Sequence, residues 1–260
     1  MSEKVVFTIG HSSHDIKYFV ELLKKQGVTW LIDVRSSPYS RIAPQFNKDR
    51  LRLTLKDEEI SYVHFEKEFA ARQTRPSLLD RDGRVDFDKV RKTDEFKQGV
   101  QRLQKAVDLG YIVSLMCSEA DPFECHRFSM ISYQLVKEDL RVHHILRDGK
   151  LVDNNELEER LLKKYYPKHD PNKPQFALNE EGEMSSEDTQ KLIDEAYKKR
   201  GKDMAFSTLD ACPVNLLQAS YTFNNCDQMW SAGINGLAEH KPTAARDCRG
   251  TGIRSCRRES

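Results

Sequence analysis

The sequence predicts an α/β fold, with a mostly parallel, open sheet flanked by helices in three Rossmann-like layers. Two observations lead to this class. Short apolar, β-branched runs alternate with longer segments of helical spacing through residues 1–166. Glycines stand where helical segments end, as at Gly27 and Gly110. Because strands that alternate with helices form layered sheets, we expect residues 1–166 to form a single globular domain.

The first predicted unit is a βαβ motif. Residues 5–9 are apolar and stop at Gly10, which predicts a buried strand. Asp15 is a suitable N-cap for a helix whose apolar residues recur at helical spacing as far as Gly27. Residues 30–34 then predict a second strand, so that the connection is a right-handed crossover between parallel strands.

The rest of the chain continues this alternation and then changes character. We predict further strands at 61–65, 111–116 and 142–146, the last of the sheet, and helices at 96–109, 126–139 and 156–165. Residues 167–206 are predicted to be a linker and a polar C-terminal helix whose narrow apolar stripe docks on the body. Residues 207–260 show no period and are predicted to be a disordered tail or a foreign extension.

Composition removes several classes of protein. The chain has 42 Lys and Arg against 41 Asp and Glu, and this balance does not favour a strongly basic nucleic-acid binder. No run approaches the roughly 20 apolar residues that span a bilayer, and the first residues lack the features of a signal peptide. We therefore expect no membrane association and a cytoplasmic location, in which Cys117 and Cys125 are reduced.

Polar residues follow three of the predicted strands. His11 and Ser12 follow the first strand, residues 33–41 cover the end of the second, and residues 117–127 follow the strand at 111–116. Ligands of open parallel sheets bind outside the carboxyl ends of the strands. If these strands are adjacent, the three loops face one crevice.

These loops contain groups for proton transfer and for binding an anion. The catalytic candidates are His11 and Glu119 as acid or base, Cys117 as a nucleophile, and Asp33 as a group that orients an arginine or a substrate hydroxyl. The candidate ligand-binding residues are Ser12, Arg35, Ser40, Arg41, Cys125, His126 and Arg127. Since arginine presents a planar fork of donors that suits phosphate, we expect a small anionic ligand.

Each candidate also has a purely structural interpretation. Asp33 can pair with Arg35 or Arg127 inside the protein, because a carboxylate after an apolar strand often does so. Cys117 can be a small core residue at the end of a buried strand. His11 can be a hydrogen-bonded structural group.

Metal and redox sites are further alternatives. Cys117, Glu119, Cys125, His126 and His11 are possible metal ligands. The spacing of the two cysteines matches no common zinc pattern, and adjacent helical residues point about 100° apart, so that Cys125 and His126 would not share a metal. No metal and no cofactor is therefore expected. A redox pair between Cys117 and Cys125 would require Cα atoms within about 7 Å.

The motifs together resemble a known family. They are TIGHS at 8–12, DVRSSPYSR at 33–41, PQFN at 44–47, CSEADPFECHR at 117–127 and HIL at 144–146. Their order and spacing resemble the DUF488 family, a domain of unknown function, over roughly residues 4–166. The resemblance implies an α/β domain with these motifs in one pocket, and it implies no reaction. One departure is KEFAAR at 67–72, where such family members usually have a glycine-rich segment.

We therefore expect an enzyme, a hydrolase or transferase, that acts on a phosphate-bearing small molecule such as a nucleotide. The alternative is a non-catalytic module that binds a nucleotide or a nucleic-acid end through the same arginines. Nucleic acid is not favoured, because the predicted tail carries the net charge of +1 and the body has none. The third hypothesis is a cysteine-based redox or metal site. The sequence determines neither the reaction nor the oligomeric state.

Overall fold

The computed structural model describes residues 3–167 and 186–207. The strands are β1 (Val5–Gly10), β2 (Trp30–Asp33), β3 (Ser61–His64), β4 (Val113–Cys117), β5 (Arg141–Ile145) and β6 (Leu151–Asp153). The α-helices are α1 (Ile16–Lys25), α2 (Lys48–Asp57), α3 (Glu66–Phe69), α4 (Phe87–Arg91), α5 (Asp94–Asp108), α6 (Tyr133–Lys137), α7 (Asn154–Tyr165) and α8 (Ser186–Met204). The predicted tail from residue 208, and all of the predicted linker but its first residue, lie outside the described residues.

One sheet with the strand order β3-β2-β4-β1-β5-β6 forms the centre of the fold. All neighbouring strands are parallel except β5 and β6, which are antiparallel. The predicted α/β class with a mostly parallel sheet is therefore confirmed. The prediction that residues 142–146 form the last strand was wrong, because β6 follows after a turn in which Gly149 has φ +79°. β6 has only three residues, too few for a recognisable period.

Helices cover the sheet on both faces. On one face, Phe19 of α1 and Leu51 of α2 pack in one apolar cluster with Leu31 of β2. On the other face, Leu103 of α5 packs in a second cluster with Ile32 of β2. Leu31 and Ile32 are neighbours in one strand, and their side chains point to opposite faces. The sheet is consequently buried on both sides, which explains why its strands are continuous apolar runs.

Helix ends follow local capping chemistry. Asp15 caps α1 as predicted, since its carboxylate accepts a backbone N–H at 2.8 Å. α5 begins at Asp94, two residues before the predicted start, because Thr93 caps it. α2 was not predicted, because only Leu51 and Leu55 of its ten residues are buried apolar side chains.

The predicted helix at 126–139 consists of two parts. Arg127–Ser132 is a π-helical segment that continues directly into α6. Such segments occur frequently at functional sites. Cys125 lies outside the helix in extended backbone, with φ −140° and ψ 145°. The expectation that Cys125 and His126 are consecutive helical residues was wrong.

α8 packs beside the segment that leads to Cys125. Its Tyr197 is buried in a cluster with Phe123 and Phe128. Its Arg200 donates two hydrogen bonds to the carbonyl of Phe123, at 3.0 and 2.8 Å, and pairs with Glu124 at 2.6 Å. α8 therefore supports the 3-10 turn Pro122–Glu124 directly before the site. Within residues 3–167 and 186–207, none of the helices combines the length and apolar character that a membrane span requires.

Candidate active site

The three strands with polar loops at their carboxyl ends are neighbours in the sheet. β4 lies between β2 and β1 and is parallel to both. The chain leaves β1 towards α1 on one face and leaves β4 towards the π-helical segment on the other. Loops that leave adjacent strands for opposite faces create a topological switch point, where ligands of such sheets bind.

The loops after β1 and β4 are hydrogen-bonded to each other. His11 N donates to Cys117 O and Ser12 N donates to Ser118 O, both at 2.9 Å. Ser12 has φ +47°, a left-handed backbone that is uncommon for serine and is often found at functional sites. A Cβ at Gly10 would lie 1.8 Å from the carbonyl oxygen of Glu119. Only glycine therefore allows the β4 loop to lie this close to β1.

Asp33 and Arg35 form a buried ion pair. Arg35 donates from Nε to Oδ1 at 2.9 Å and from Nη2 to Oδ2 at 2.6 Å, while Asp33 is fully buried. Tyr62 donates its hydroxyl to Asp33 at 2.7 Å, and Arg35 also donates to Phe46 O at 2.8 Å. The predicted pairing of Asp33 with Arg35 is present. Most of the guanidinium fork is therefore used to hold the β2 loop.

His11 is held through both ring nitrogens. Nδ1 donates to Ser12 O at 2.9 Å, so Nε2 accepts from Arg35 Nη1 at 3.2 Å. The ring stacks on Phe46 with centroids 4.4 Å apart. Burial lowers the pKa of His11 to about 4, and the charge of Arg35 lowers it further in the same direction. A neutral, doubly held ring orients Arg35, and this arrangement favours a positioning role over proton exchange near neutral pH.

Four side chains form a thiol cluster, which consists of Cys117, Glu119, Cys125 and His126. Both thiols donate to Oε2 of Glu119, at 2.9 and 3.0 Å, and both Sγ atoms lie 3.7 Å from Nδ1 of His126. Cys117 and Cys125 are only 3% and 1% exposed, whereas Glu119 is an exposed residue. The carboxylate of Glu119 therefore separates the two sulfur atoms from solvent.

Burial dominates the protonation of Cys117 and Glu119. At Cys125, burial is outweighed by the hydrogen bond with Cys117 and the charge of Arg127, which hold the pKa of that thiol well below its ordinary value. Burial raises the pKa of the Cys117 thiol well above its ordinary value. The residue Glu119 is exposed as a whole, but its carboxyl group is buried against the two sulfur atoms. This burial and the nearby Cys125 sulfur raise the pKa of Glu119. Cys117 is thus a neutral thiol behind a carboxyl group, which is a poor arrangement for the nucleophile that the sequence suggested.

Arg127 is fully buried beside the thiol cluster. It donates to the carbonyls of Glu119 and Ala120, at 2.7 and 3.1 Å, and so fixes the β4 loop. Among residues 3–167 and 186–207, Arg127 has no carboxylate partner, and its Nε has no hydrogen-bond acceptor. Its own backbone N–H lies 3.5 Å from Cys125 Sγ. A buried positive charge therefore lies next to two thiols without a carboxylate counter-ion in the described part of the chain.

Comparison with known proteins places most of this site in a family. Residues 15–134 match the family model for the domain of unknown function DUF488. This segment is similar to the DUF488 family. The match confirms the family that the motifs resemble. The matched segment contains Asp33, Arg35, Arg127 and the whole thiol cluster, and His11 lies just before it. No curated protein and no solved structure matches this chain.

The remaining predicted site residues, Ser40 and Arg41, lie on the β2 loop. Ser40 Oγ accepts the N–H groups of Ile42 and Ala43, both at 3.2 Å, and Ser40 N donates to Asn47 at 2.6 Å. Arg41 is exposed on this loop, unlike the buried Arg35. The three predicted arginines therefore differ, since two are buried and bound to protein groups and one faces solvent.

A cleft of about 760 Å³ opens beside the β4 loop. It is lined by Ala120, Asp121, Leu146, Arg147, Asp148, Val152, Glu156, Leu157 and Arg160. Arg160 pairs with Asp121 at 2.8 Å, whereas Arg147 has no ion pair within the described chain. Arg147 was not among the predicted site residues, although it directly follows the predicted strand at 142–146 and ligands bind at the carboxyl ends of strands.

A second buried histidine, His144, lies on β5. Thr8 donates to His144 Nδ1 at 2.8 Å, and His144 Nε2 donates to the side-chain oxygen of Asn154 at 3.2 Å. Burial lowers the pKa of His144 to about 3, and the charge of Arg127 also lowers it. His144 is therefore neutral in the folded protein at all but strongly acidic pH.

Acid is expected to destabilise the fold through His11 and His144. Both are neutral when buried, with pKa values of about 4 and about 3, against 6.5 when unfolded. Below pH 6.5 the unfolded chain binds these protons and the folded chain does not, so the free energy of unfolding falls as the pH falls. Each histidine contributes a slope of about 1.4 kcal/mol per pH unit. Urea unfolding between about pH 7.5 and 5 measures the total slope. His144→Gln should reduce that slope by the contribution of one histidine. Equal slopes in both proteins would contradict the assignment.

Proposed function

We propose that this protein is an enzyme, a hydrolase or transferase, that acts on a phosphate-bearing small molecule such as a nucleotide. The observation that carries the proposal is the position of Glu119. It is an exposed residue at the switch point, and it lies on a loop that Gly10 and Arg127 hold tightly. A general acid or base must be both accessible to substrate and fixed in place, and Glu119 satisfies both conditions.

In the proposed reaction, Glu119 moves one proton. Its carboxylate takes a proton from water as the water oxygen bonds to the electrophilic centre of the substrate. The bond to the leaving group breaks, and Glu119 gives the proton to that group, so that the carboxylate is restored. In a transfer reaction an acceptor hydroxyl replaces water. The thiol of Cys117 is not the nucleophile in this scheme, because it lies behind Glu119 and is 3% exposed.

The cleft beside the β4 loop supports a small phosphate ester as substrate. Its volume of about 760 Å³ is within the usual range for small-molecule sites. Arg147 offers a guanidinium that no carboxylate of the described chain occupies, which suits a phosphate group. Asp148 and Glu156 line the same cleft and can accept hydrogen bonds from sugar hydroxyls. Ala120 and Asp121 of the lining directly follow Glu119 in the sequence, so the cleft lies beside the loop that carries the proposed acid/base.

Ligand binding is tested with the full chain by thermal shift against inorganic phosphate, nucleotides and sugar phosphates. A ligand that binds the native state raises its stability by RT ln(1 + [L]/Kd), which is about 2.7 kcal/mol at 100 times Kd. The shift should appear with one class of phosphate ester and be lost in Arg147→Ala. Arg52→Ala, an exposed arginine on α2, is the matched control and should keep the shift. No shift with any of these compounds would contradict the proposal.

Turnover of the ligand so identified should depend on Glu119. Glu119→Gln keeps the shape and removes the proton-transfer group, so kcat is expected to fall by about 100-fold or more while binding persists. Product formation measured by chromatography provides the rate. Ser118→Ala, at the neighbouring exposed residue, should retain normal kcat. Binding without turnover in the unmodified chain would contradict the enzyme and favour the binding module instead.

A further inference from the structure

We propose that Cys117, Cys125 and His126 bind a divalent metal ion of the zinc type, whose fourth position stays open beside Glu119. The three buried residues each offer one ligand atom, and these atoms all lie within 4.8 Å of one another. Two thiolates and an imidazole are ligands that zinc prefers, whereas magnesium and calcium prefer oxygen. This site goes beyond the proposed reaction, because metal binding is measured without any substrate.

The donor atoms are already close to tetrahedral spacing. Zn–S bonds of about 2.3 Å and Zn–N bonds of about 2.0 Å imply sulfur–nitrogen separations of about 3.5 Å in a tetrahedral site. The two sulfur–nitrogen distances to His126 are both 3.7 Å. The sulfur–oxygen distances to Glu119 are 2.9 and 3.0 Å, as expected for hydrogen-bonded thiols. Replacing the two thiol protons by one metal ion removes these two hydrogen bonds and leaves the Glu119 carboxylate free beside the ion.

The other ring nitrogen of His126 is arranged as in known metal sites. Nε2 lies 3.1 Å from Val34 O, and because a carbonyl can only accept, Nε2 carries a proton. In the neutral ring, Nδ1 then presents its lone pair to Cys117 and Cys125. Metal-binding histidines almost always donate their second N–H to a carbonyl, carboxylate or water in this way. β2 therefore fixes the tautomer that a metal ion requires.

The charge balance also fits a bound cation. Two thiolates, one carboxylate and a divalent ion together carry −1. The buried Arg127 carries +1 and has no carboxylate partner in the described part of the chain. Its backbone N–H points to Cys125 Sγ at 3.5 Å, and its guanidinium holds the carbonyls of Glu119 and Ala120. Buried charges need compensation, and the metal centre and Arg127 compensate each other.

The extended backbone at Cys125 explains why spacing alone did not predict this site. Two consecutive residues in a helix point about 100° apart, but Cys125 has φ −140° and ψ 145° and precedes the helical segment. The side chains of Cys125 and His126 can therefore converge. Glu119, beside the open fourth position, is an exposed residue. A site with three buried ligands and one accessible position is of the catalytic rather than the closed structural type.

The test uses the full chain in which Cys212, Cys226, Cys248 and Cys256 are replaced by Ser, so that Cys117 and Cys125 are its only thiols. The reduced, metal-free protein is equilibrated with Zn²⁺ or Co²⁺ and freed of excess metal. We expect one zinc per chain by elemental analysis. The cobalt form should show sulfur-to-cobalt charge-transfer absorption and the intense visible bands of a tetrahedral site. Cys125→Ser should lose about half of the charge-transfer intensity or all bound metal.

Several results would overturn the metal site. These are less than about a tenth of an equivalent of zinc, a cobalt spectrum without charge-transfer absorption, or a Cys117–Cys125 disulfide that persists under reduction. If Cys125→Ser fails to fold, the cobalt spectrum of the tail-cysteine variant still decides, because that absorption requires a thiolate ligand. Glu119→Gln should keep the metal, which Cys117, Cys125 and His126 bind, and lose turnover. Failure of the metal site and failure of the proposed reaction are therefore distinguishable.

Discussion

Replacing Asp33 by Asn is expected to lower the free energy of unfolding by about 3–5 kcal/mol. The substitution keeps the side-chain shape and removes the only carboxylate that pairs with Arg35 among the described residues. The guanidinium is 4% exposed and would remain buried without a counter-ion. Breaking one partner of a buried ion pair is costly for this reason, even where the intact pair contributes little net stability. Urea unfolding at neutral pH measures the difference.

The effect of Asp33→Asn should shrink when the second charge is also removed. In Asp33→Asn/Arg35→Met no buried charge remains, so we expect the double variant to be more stable than Asp33→Asn alone. If Asp33→Asn lowers the free energy of unfolding by less than about 1 kcal/mol, the ion pair is exposed to water, in contrast to the buried pair of the structure. Asp33→Asn also removes the carboxylate to which the Tyr62 hydroxyl donates a hydrogen bond. Tyr62 is therefore a second residue at which the loss of this carboxylate can be observed.

Gly10→Ala is expected to abolish the function of the site more strongly than it affects the fold. The added Cβ would lie 1.8 Å from the carbonyl oxygen of Glu119, which is backbone and cannot rotate away. The β4 loop must therefore move away from β1, and Glu119 moves with it. A displacement of about 1 Å in a catalytic group can cost 100-fold in rate, whereas overpacking typically costs about 1–3 kcal/mol in stability. We therefore expect kcat to fall by at least about 100-fold.

Turnover and the cobalt spectrum of Gly10→Ala test this expectation together. Gly110→Ala is the matched control, because Gly110 has φ +85° and no heavy atom lies within 4 Å of a Cβ added there. That variant strains the backbone at the end of α5, away from the site, and should lose some stability but keep its kcat. Normal turnover in Gly10→Ala would contradict the close approach of the two loops.

Local patterns predicted most of the fold, and their failures have local causes. The runs at 5–9 and 30–34 became β1 and β2, and Asp15 became the N-cap of α1, because apolar periodicity and capping act over a few residues. β6 was missed because three residues show no period. α2 was not predicted because only two of its residues, Leu51 and Leu55, are buried apolar side chains. The helix predicted at 126–139 divides into a π-helical segment and α6, and apolar periodicity does not predict this change of helix type.

Residue identity along the chain was enough to predict the α/β class, the resemblance to DUF488 and the polar loops after three strands. These properties depend on short-range pattern and on which residues follow an apolar run. The roles of those residues depend on the order β2-β4-β1 and on the extended backbone at Cys125. In that arrangement Arg35 and Arg127 donate hydrogen bonds to groups of the protein itself. The same arrangement brings two thiols and an imidazole together beside Glu119. Side chains from separate loops converge only when the folded sheet defines their distances, and spacing in the sequence does not contain that information.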